Sequence, residues 1–419
     1  MAFHRHLSEL VHEGLLAVQD ASSRMHLHRA WKLLQEHDAD GDEIGPLPYT
    51  EPALAELDLA RACDSEDIGV VHHLAIAHHA RAWDLELSGD PSAANEWERA
   101  LGYWRTISAS SEFWADLQRK FAECDPEAQE SPVPDLRRNM LENLLDVHVD
   151  FVRRYSENEC SDRANLHIEI VRRATIPPAT KRRLVAKLFD AMTASVPDAK
   201  AARDFESALT LIERFLALFP DHVPALRMHA ETSRELAASL SFKDQWPQIV
   251  SAADRAEPFA TTLAAHPARD EDPLASSAFQ DLAFTLACRA NDRGGAYFGD
   301  EQWEEARTAI DLGVRWGRLA VPYSPAESAL RNVLAGMLLG RAACLHAEFM
   351  QLANDEGVEP RIVIRLAIKR LRDGISDLEE AFRARATDSA LVAAVESRLD
   401  AFREELTELE AASGRADLL

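Results

Sequence analysis

The stretch Asp204–Glu235, DFESALTLIERFLALFPDHVPALRMHAETSRE, decides the fold. Its apolar residues recur three and four apart up to Phe219, the spacing of one helix face. Pro220 stops that helix, because proline lacks the backbone N–H and its ring clashes with the preceding turn. A second amphipathic helix starts a few residues later. The pair is one helix-turn-helix unit. Such a unit cannot bury its apolar faces alone, so units stack into solenoids, and solenoids offer extended binding surfaces.

The same period governs almost the whole chain. Alternating runs rich in Val, Ile and Thr are nearly absent, and the expected class is all-α. A helical block is expected over 1–124. Within it Ile68–Ser88 reads as one helix, and Gly89-Asp90-Pro91 ends it, with Asp90 as N-cap of the next. That next helix carries Ala94, Trp97, Leu101 and Trp104, and Ser110-Ser111 caps a third through Phe113, Trp114, Leu117 and Phe121. A polar, proline-bearing linker follows at 125–135. A central block at 136–274 holds helices near 136–156, 162–174, 179–195, 201–219, 223–241 and 247–265, and closes at the weaker connector 266–274. The last block, 275–419, ends in two long helices. Ile364, Ile368, Leu371, Ile375, Leu378 and Phe382 line the first, and Val395, Leu399, Phe402, Leu406 and Leu409 the second. They are expected to form an antiparallel hairpin capping the array.

Three stretches resemble tetratricopeptide (TPR) repeats, over about a quarter of the chain. In the best unit Ala208 takes the small position of the second helix, Pro220 the terminal proline and Ala230 the small position of the following first helix. Leu226 stands where the family has a large aromatic, and His229 where it prefers leucine. Gly89-Asp90 with Ala94, and Gly299-Asp300 with Ala306, look like the turns of two further units. The resemblance implies a right-handed solenoid of antiparallel helix pairs that binds peptides on an inner groove, lined here by Arg227, Glu231 and Arg234. Members that clamp a C-terminal carboxylate use a basic residue and an asparagine one turn later. Arg227 fits the first role, but Glu231 replaces the asparagine.

The 419 residues carry a formal net charge of -25, which opposes non-specific binding to nucleic acid and to anionic membranes. The N-terminus, MAFHRHLSELVHEG, reads as no secretory signal, and no uninterrupted apolar run reaches a spanning length. Five dispersed cysteines form no CxxC pair and fit reduced thiols in a cytoplasm. The abundance of Ala, Arg, Leu and Asp resembles high-GC bacterial proteins.

Motifs of catalysis are weak throughout. His72, His73, His78 and His79 share one helix, but their separations are not the three or four that let two rings reach one ion. The expected reading is packing for some and solvation for others, with His79 stacking on Trp83. HDADGDE at 37–43 places Glu43 where a calcium loop needs glycine. NDRGGAYFGDE from Asn291 begins like a diphosphate-binding metal motif, then departs at Gly295 and Gly299, and reads as a glycine-rich loop between helices. No P-loop, HExxH, GxSxG or dinucleotide fingerprint occurs. No cofactor or metal is expected.

Charge is distributed unevenly. Residues 136–188 hold eleven Lys/Arg against seven Asp/Glu in a chain that is otherwise acidic. Arg153, Arg154, Arg172, Arg173, Arg182 and Arg183 stand near helix ends, read either as a docking patch for an acidic partner or as internal ion pairs. A smaller stripe, Arg361, Arg365, Lys369 and Arg372, follows one helical face. The expected function is that of a non-enzymatic cytoplasmic adaptor or scaffold binding a protein or peptide, with self-association as a further expectation. An accessory subunit that activates a partner enzyme and an all-α enzyme with a divergent site are the alternatives.

Overall fold

The computed structural model describes residues 21–39, 49–65, 67–124, 133–157, 161–174, 176–267, 272–325, 329–353, 360–384 and 386–416. Helices fill nearly all of them, and the described residues contain no strand. The acidic loop at 37–43, apart from residues 37–39 at the end of the first helix, and most of the 125–135 linker lie outside the described residues. The chain divides into two compact units, Met1–Met192 and Thr193–Leu419. The sequence instead suggests connectors at 125–135 and 266–274.

The first unit contains α1 (Ala21–Ala39), α2 (Thr50–Cys63), α3 (Ile68–Ser88), α4 (Ala93–Ala109), α5 (Ser111–Cys124), α6 (Val133–Glu157), α7 (Ser161–Arg173) and α8 (Pro178–Met192). Helix α3 is its central element. Asp67 caps it, accepting from Gly69 N at 2.7 Å and Val70 N at 3.4 Å. At its far end Gly89 has φ +79 and donates to the Glu86 carbonyl at 3.1 Å, while Asp90 N donates to the Leu85 carbonyl at 2.8 Å. This is a left-handed glycine stop, which a side chain would strain. Asp90 does not cap α4 as its sequence position suggests. It closes the turn, accepting from Ser92 N at 2.8 Å and Ser92 Oγ at 2.7 Å, and α4 starts at Ala93. The Ser110 cap does form, accepting from Phe113 N at 3.2 Å.

The second unit contains α9 (Val196–Ala201), α10 (Phe205–Leu218), α11 (Val223–Ser239), α12 (Trp246–Ala265), α13 (Pro273–Gly299), α14 (Trp303–Ala320), a 3-10 turn at Val321–Tyr323, α15 (Ala329–Ala353), α16 (Pro360–Arg383) and α17 (Ser389–Ala416). Its helices pack chiefly on the next helix and the next but one. In the α10/α11 pair Asp204 accepts from Ser207 N at 3.1 Å, and His222 Nδ1 accepts from Ala225 N at 3.3 Å. Ala208, Leu226 and Ala230 are buried.

Two expectations need correction here. Asn291–Gly299 is not a loop. It is the last part of α13, and only the turn at Asp300-Glu301 follows it. A Cβ on Gly294 would lie 2.5 Å from Ile310 Cγ1, so this glycine serves close helix packing and not a turn. The C-terminal seam is also half open. Helices α16 and α17 are antiparallel, as the Arg372–Glu410 and Arg403–Glu379 pairs at 2.8 Å require. Leu371, Leu378, Val395 and Phe402 are buried, but Phe382 is 54% exposed and Leu399, Leu406 and Leu409 are half-buried. Helix α17 packs chiefly on α16 and less on α15.

One described helix segment, Ala329–Gln351 in α15, is long and apolar enough to cross a membrane by length and composition. Counting uninterrupted runs missed it, because Arg331 and Arg341 break the run without lowering its average much. In the structure it packs between α14 and α16.

Candidate functional site

Helix α3 buries six ionisable side chains: His72, His73, His78, His79, Asp84 and Glu86. Each needs a partner, since a buried polar group without one costs about 1–3 kcal/mol. Glu86, 4% exposed, is the hub. Tyr155 Oη donates to its Oε1 at 2.5 Å and Trp97 Nε1 to its Oε2 at 3.3 Å. His167 Nε2 lies 3.4 Å from Oε1. His148 and His167 then face each other through their Nδ1 atoms, 2.8 Å apart. The relay Tyr155–Glu86–His167–His148 ties α3 to α6 and α7, with Trp97 of α4 against both histidine rings at 4.6 and 6.2 Å.

The electrostatics follow from burial and these bonds. Burial works to raise the Glu86 carboxyl, but the bonds from His167, Tyr155 and Trp97 outweigh it and hold it below its usual range. Burial and the Glu86 charge push the Tyr155 hydroxyl to about 12, so it remains a donor. Burial, with His167 and His79 beside it, lowers His148 well below the ordinary histidine value. About two turns earlier on α3, His78 Nδ1 sits 2.6 Å from Glu96 Oε2, and burial lowers His78 despite that carboxylate.

A second polar constellation, part-buried, lies in the second unit. Glu213 of α10 meets His229 Nε2 of α11 at 3.0 Å and Arg255 of α12 at 2.6 and 2.9 Å. Burial raises the Glu213 carboxyl, yet the His229 and Arg255 bonds outweigh it and set it at about 2. Ser233 Oγ is 3.4 Å from His229 Nδ1. Serine, histidine and carboxylate thus adjoin, but Ser233 is 2% exposed and sits one helical turn from His229 on the same helix. The arrangement knits three helices together. Among the described residues no group of three or more His, Cys, Asp or Glu is placed to hold a metal ion.

Open surface occurs elsewhere. A groove of about 670 Å³ runs between α4 and α7, lined in part by Leu101, Leu166 and Ile170. Glu98, Arg105, Glu169 and Arg173 stand around it. Glu169 is gripped by two arginines: Arg172 through Nε and Nη2, both at 2.9 Å, and Arg173 through Nε at 3.0 Å. These bonds, with the arginine charges, hold Glu169 below its usual range.

The residues singled out in the sequence therefore separate. Arg172 and Arg173 form internal ion pairs and still present exposed guanidiniums. Arg153, Arg182 and Arg183 are exposed, and the Arg154 side chain lies outside the described residues. Arg227, Glu231 and Arg234 belong to the second unit, all half-buried on α11. Arg227 reaches Asp272 at 3.5 Å and Glu231 at 3.8 Å. The α3 histidines are all buried, none solvated. His79 stacks edge-on to Trp97 at 5.0 Å, and Trp83 packs on Phe151 instead. Sequence reading missed Glu86, His148, Tyr155 and His167. The signal was present: His148 falls in the apolar stripe Leu145, Val149, Val152, and His167 in Ala164, Ile168, Val171.

No family model matches the chain, and no curated protein matches it. Among solved structures, a circular tandem repeat protein with novel repeat topology and enhanced subunit contact surfaces is similar at 13% identity over 99% of this chain and 91% of that one. The TM-score is 0.29, at which the likeness carries no argument.

Proposed function

We propose that the protein is a non-enzymatic adaptor of TPR-like helical-repeat type, binding a protein or peptide along its stacked helices. The observation that supports this most is the contrast between the closed polar clusters and the open α4/α7 groove. The titratable groups that converge are bonded to one another, and those around Glu86, with His229 and Ser233 of the second unit, are buried. The groove is large enough for several side chains, and both apolar and charged side chains line it. An amphipathic segment with acidic residues suits the exposed Arg105 and Arg173 beside Leu166 and Ile170. The α11 line of Arg227, Glu231 and Arg234 is a second contact surface. A cytoplasmic setting, with reduced thiols, belongs to the same proposal.

The test is affinity capture of the full chain at moderate salt, with mass spectrometry, run in parallel on Leu166→Asp/Arg173→Glu and on Arg227→Glu. One protein held in near-stoichiometric amount by the wild type and lost from the groove variant supports the reading. Retention by both variants at wild-type level counts against both surfaces.

A further inference from the structure

We propose that the His148–His167 pair is an acid-operated latch: it holds α6 and α7 onto α3 and α4, and protonating it releases α7 and so dismantles the α4/α7 groove. The proposal concerns the groove's geometry and does not depend on the groove having a partner.

The geometry carries it. Two imidazole Nδ1 atoms 2.8 Å apart bond only when one bears the proton and the other a lone pair. Both rings are 1% exposed or less, so water cannot replace the bond. A single added proton leaves this bond in place, because one Nδ1 still donates to the other, so what the proton changes is that the buried pair carries a charge. The surroundings decide whether that charge is tolerated. Among the described residues, α3 presents His79 and Glu86 to the pair, α4 presents the Trp97 ring, α6 presents Tyr155, and α7 presents Arg163. Glu86 is the one carboxylate in that group, and it already accepts from Tyr155 and Trp97 and faces His167. It lies on the His167 side. His148 faces Trp97, His79 and His167, none of them acidic.

The pKa direction agrees. Burial, His167 and His79 all lower His148, so the closed form resists the proton that an opened form takes near the ordinary value. The opened form thus binds more protons, and opening grows as pH falls below about 6.5. One such histidine gives about a tenfold rise in the opening equilibrium per pH unit, down to its closed-state value. The Trp97 ring and Leu101 lie on α4, and His167, Leu166 and Ile170 on α7. The groove and the latch therefore share α7, and the Trp97 ring of α4 packs on both latch histidines.

Amide hydrogen exchange on the full chain at pH 7.5, 6.5 and 5.5, corrected for intrinsic chemistry, tests this. The opening of α6 and α7 should rise about tenfold from pH 6.5 to 5.5. In His148→Gln, which keeps a donor but does not titrate, that slope should flatten. Unchanged α6 and α7 protection in the wild type over this range, or an undiminished slope in His148→Gln, overturns the latch. Should the variant not fold, the imidazole 15N shifts of the wild type decide. His148 remaining neutral in the closed form at pH 5.5 is expected. Uptake of a proton near the ordinary value with protection intact sinks the idea.

Discussion

Helix α3 in the first unit and helix α13 in the second are both enclosed by neighbours, yet they bury opposite kinds of side chain. Helix α3 buries four histidines and two carboxylates among its alanines. Helix α13 buries Ala, Leu and Phe side chains and Gly294. The consequence is a difference in how far each core reaches along the chain. The small residues of α13 let neighbouring helices approach closely, and the contacts run to the next helix or the next but one, as in a stack built by addition. The polar groups of α3 must each find a particular partner. Glu86 finds Tyr155 on α6 and His167 on α7, which fixes helices three and four places away in sequence order. Around α13 the helices are held by fit, and around α3 by pairing.

This contrast is breakable, and the largest effect is expected at its hub. Glu86→Ala strands a hydroxyl, an indole N–H and an imidazole in a dry interior, and should cost about 3–5 kcal/mol. Chemical denaturation followed by tryptophan fluorescence reads this. A loss under about 1 kcal/mol would mean that the relay is incidental to the fold.

Acid should separate the units next. His78 and His148 are lowered in the folded state, so the stability they contribute is present above about pH 6.5 and is lost as pH falls toward their folded values. The slope is up to about 1.4 kcal/mol per pH unit for each. In the second unit His229 has the same sign, but Asp377 has the opposite one. Burial raises Asp377 to about 6 despite Arg341 and Arg318, so its unfavourable contribution is full above about pH 6 and is relieved as pH falls toward the carboxylate's ordinary value. Denaturation midpoints tracked by segment from pH 7 to 4.5 should fall faster for α3–α7 than for α13–α16. Parallel curves would remove the electrostatic half of the comparison.

Packing should dominate in the second unit. A Cβ on Gly313 would lie 2.4 Å from Met337 Sδ and 2.9 Å from the Ala290 Cβ, pressing α14 against α15 and α13 together. Gly313→Ala should cost about 1–3 kcal/mol in denaturation. The smallest effect belongs to the surface. Arg172→Ala leaves Arg173 on Glu169, and the thermal midpoint should not move measurably.

Much of the helical fold is legible in the sequence because its punctuation is local. Gly89, Ser110, Asp204 and Pro220 act through their own backbone neighbourhoods, and the helices end or begin there. Gly294 is misread for the same reason: its role depends on Ile310 across a helix contact, which local composition does not show. The histidines of α3 stand out by their number, but their partners do not. Glu86, His148, Tyr155 and His167 converge from three helices, and only the tertiary fold brings them together. The arginines at 172 and 173 are visible as charge, whereas their grip on Glu169 depends on helical spacing that also serves an exposed patch. Phe382 continues a seam by period, yet it is exposed, because period alone does not say how far along a seam the neighbouring helix covers it.

The most direct test of two cores with different chemistry is segment-resolved hydrogen exchange at neutral pH on Glu86→Ala and Gly313→Ala in the full chain. Glu86→Ala should deprotect α3, α4, α6 and α7 well beyond any change in α13–α15, and Gly313→Ala should do the reverse. If Glu86→Ala leaves α6 and α7 as protected as in the wild type, the polar relay does not hold the first unit together, and the distinction drawn between the units fails.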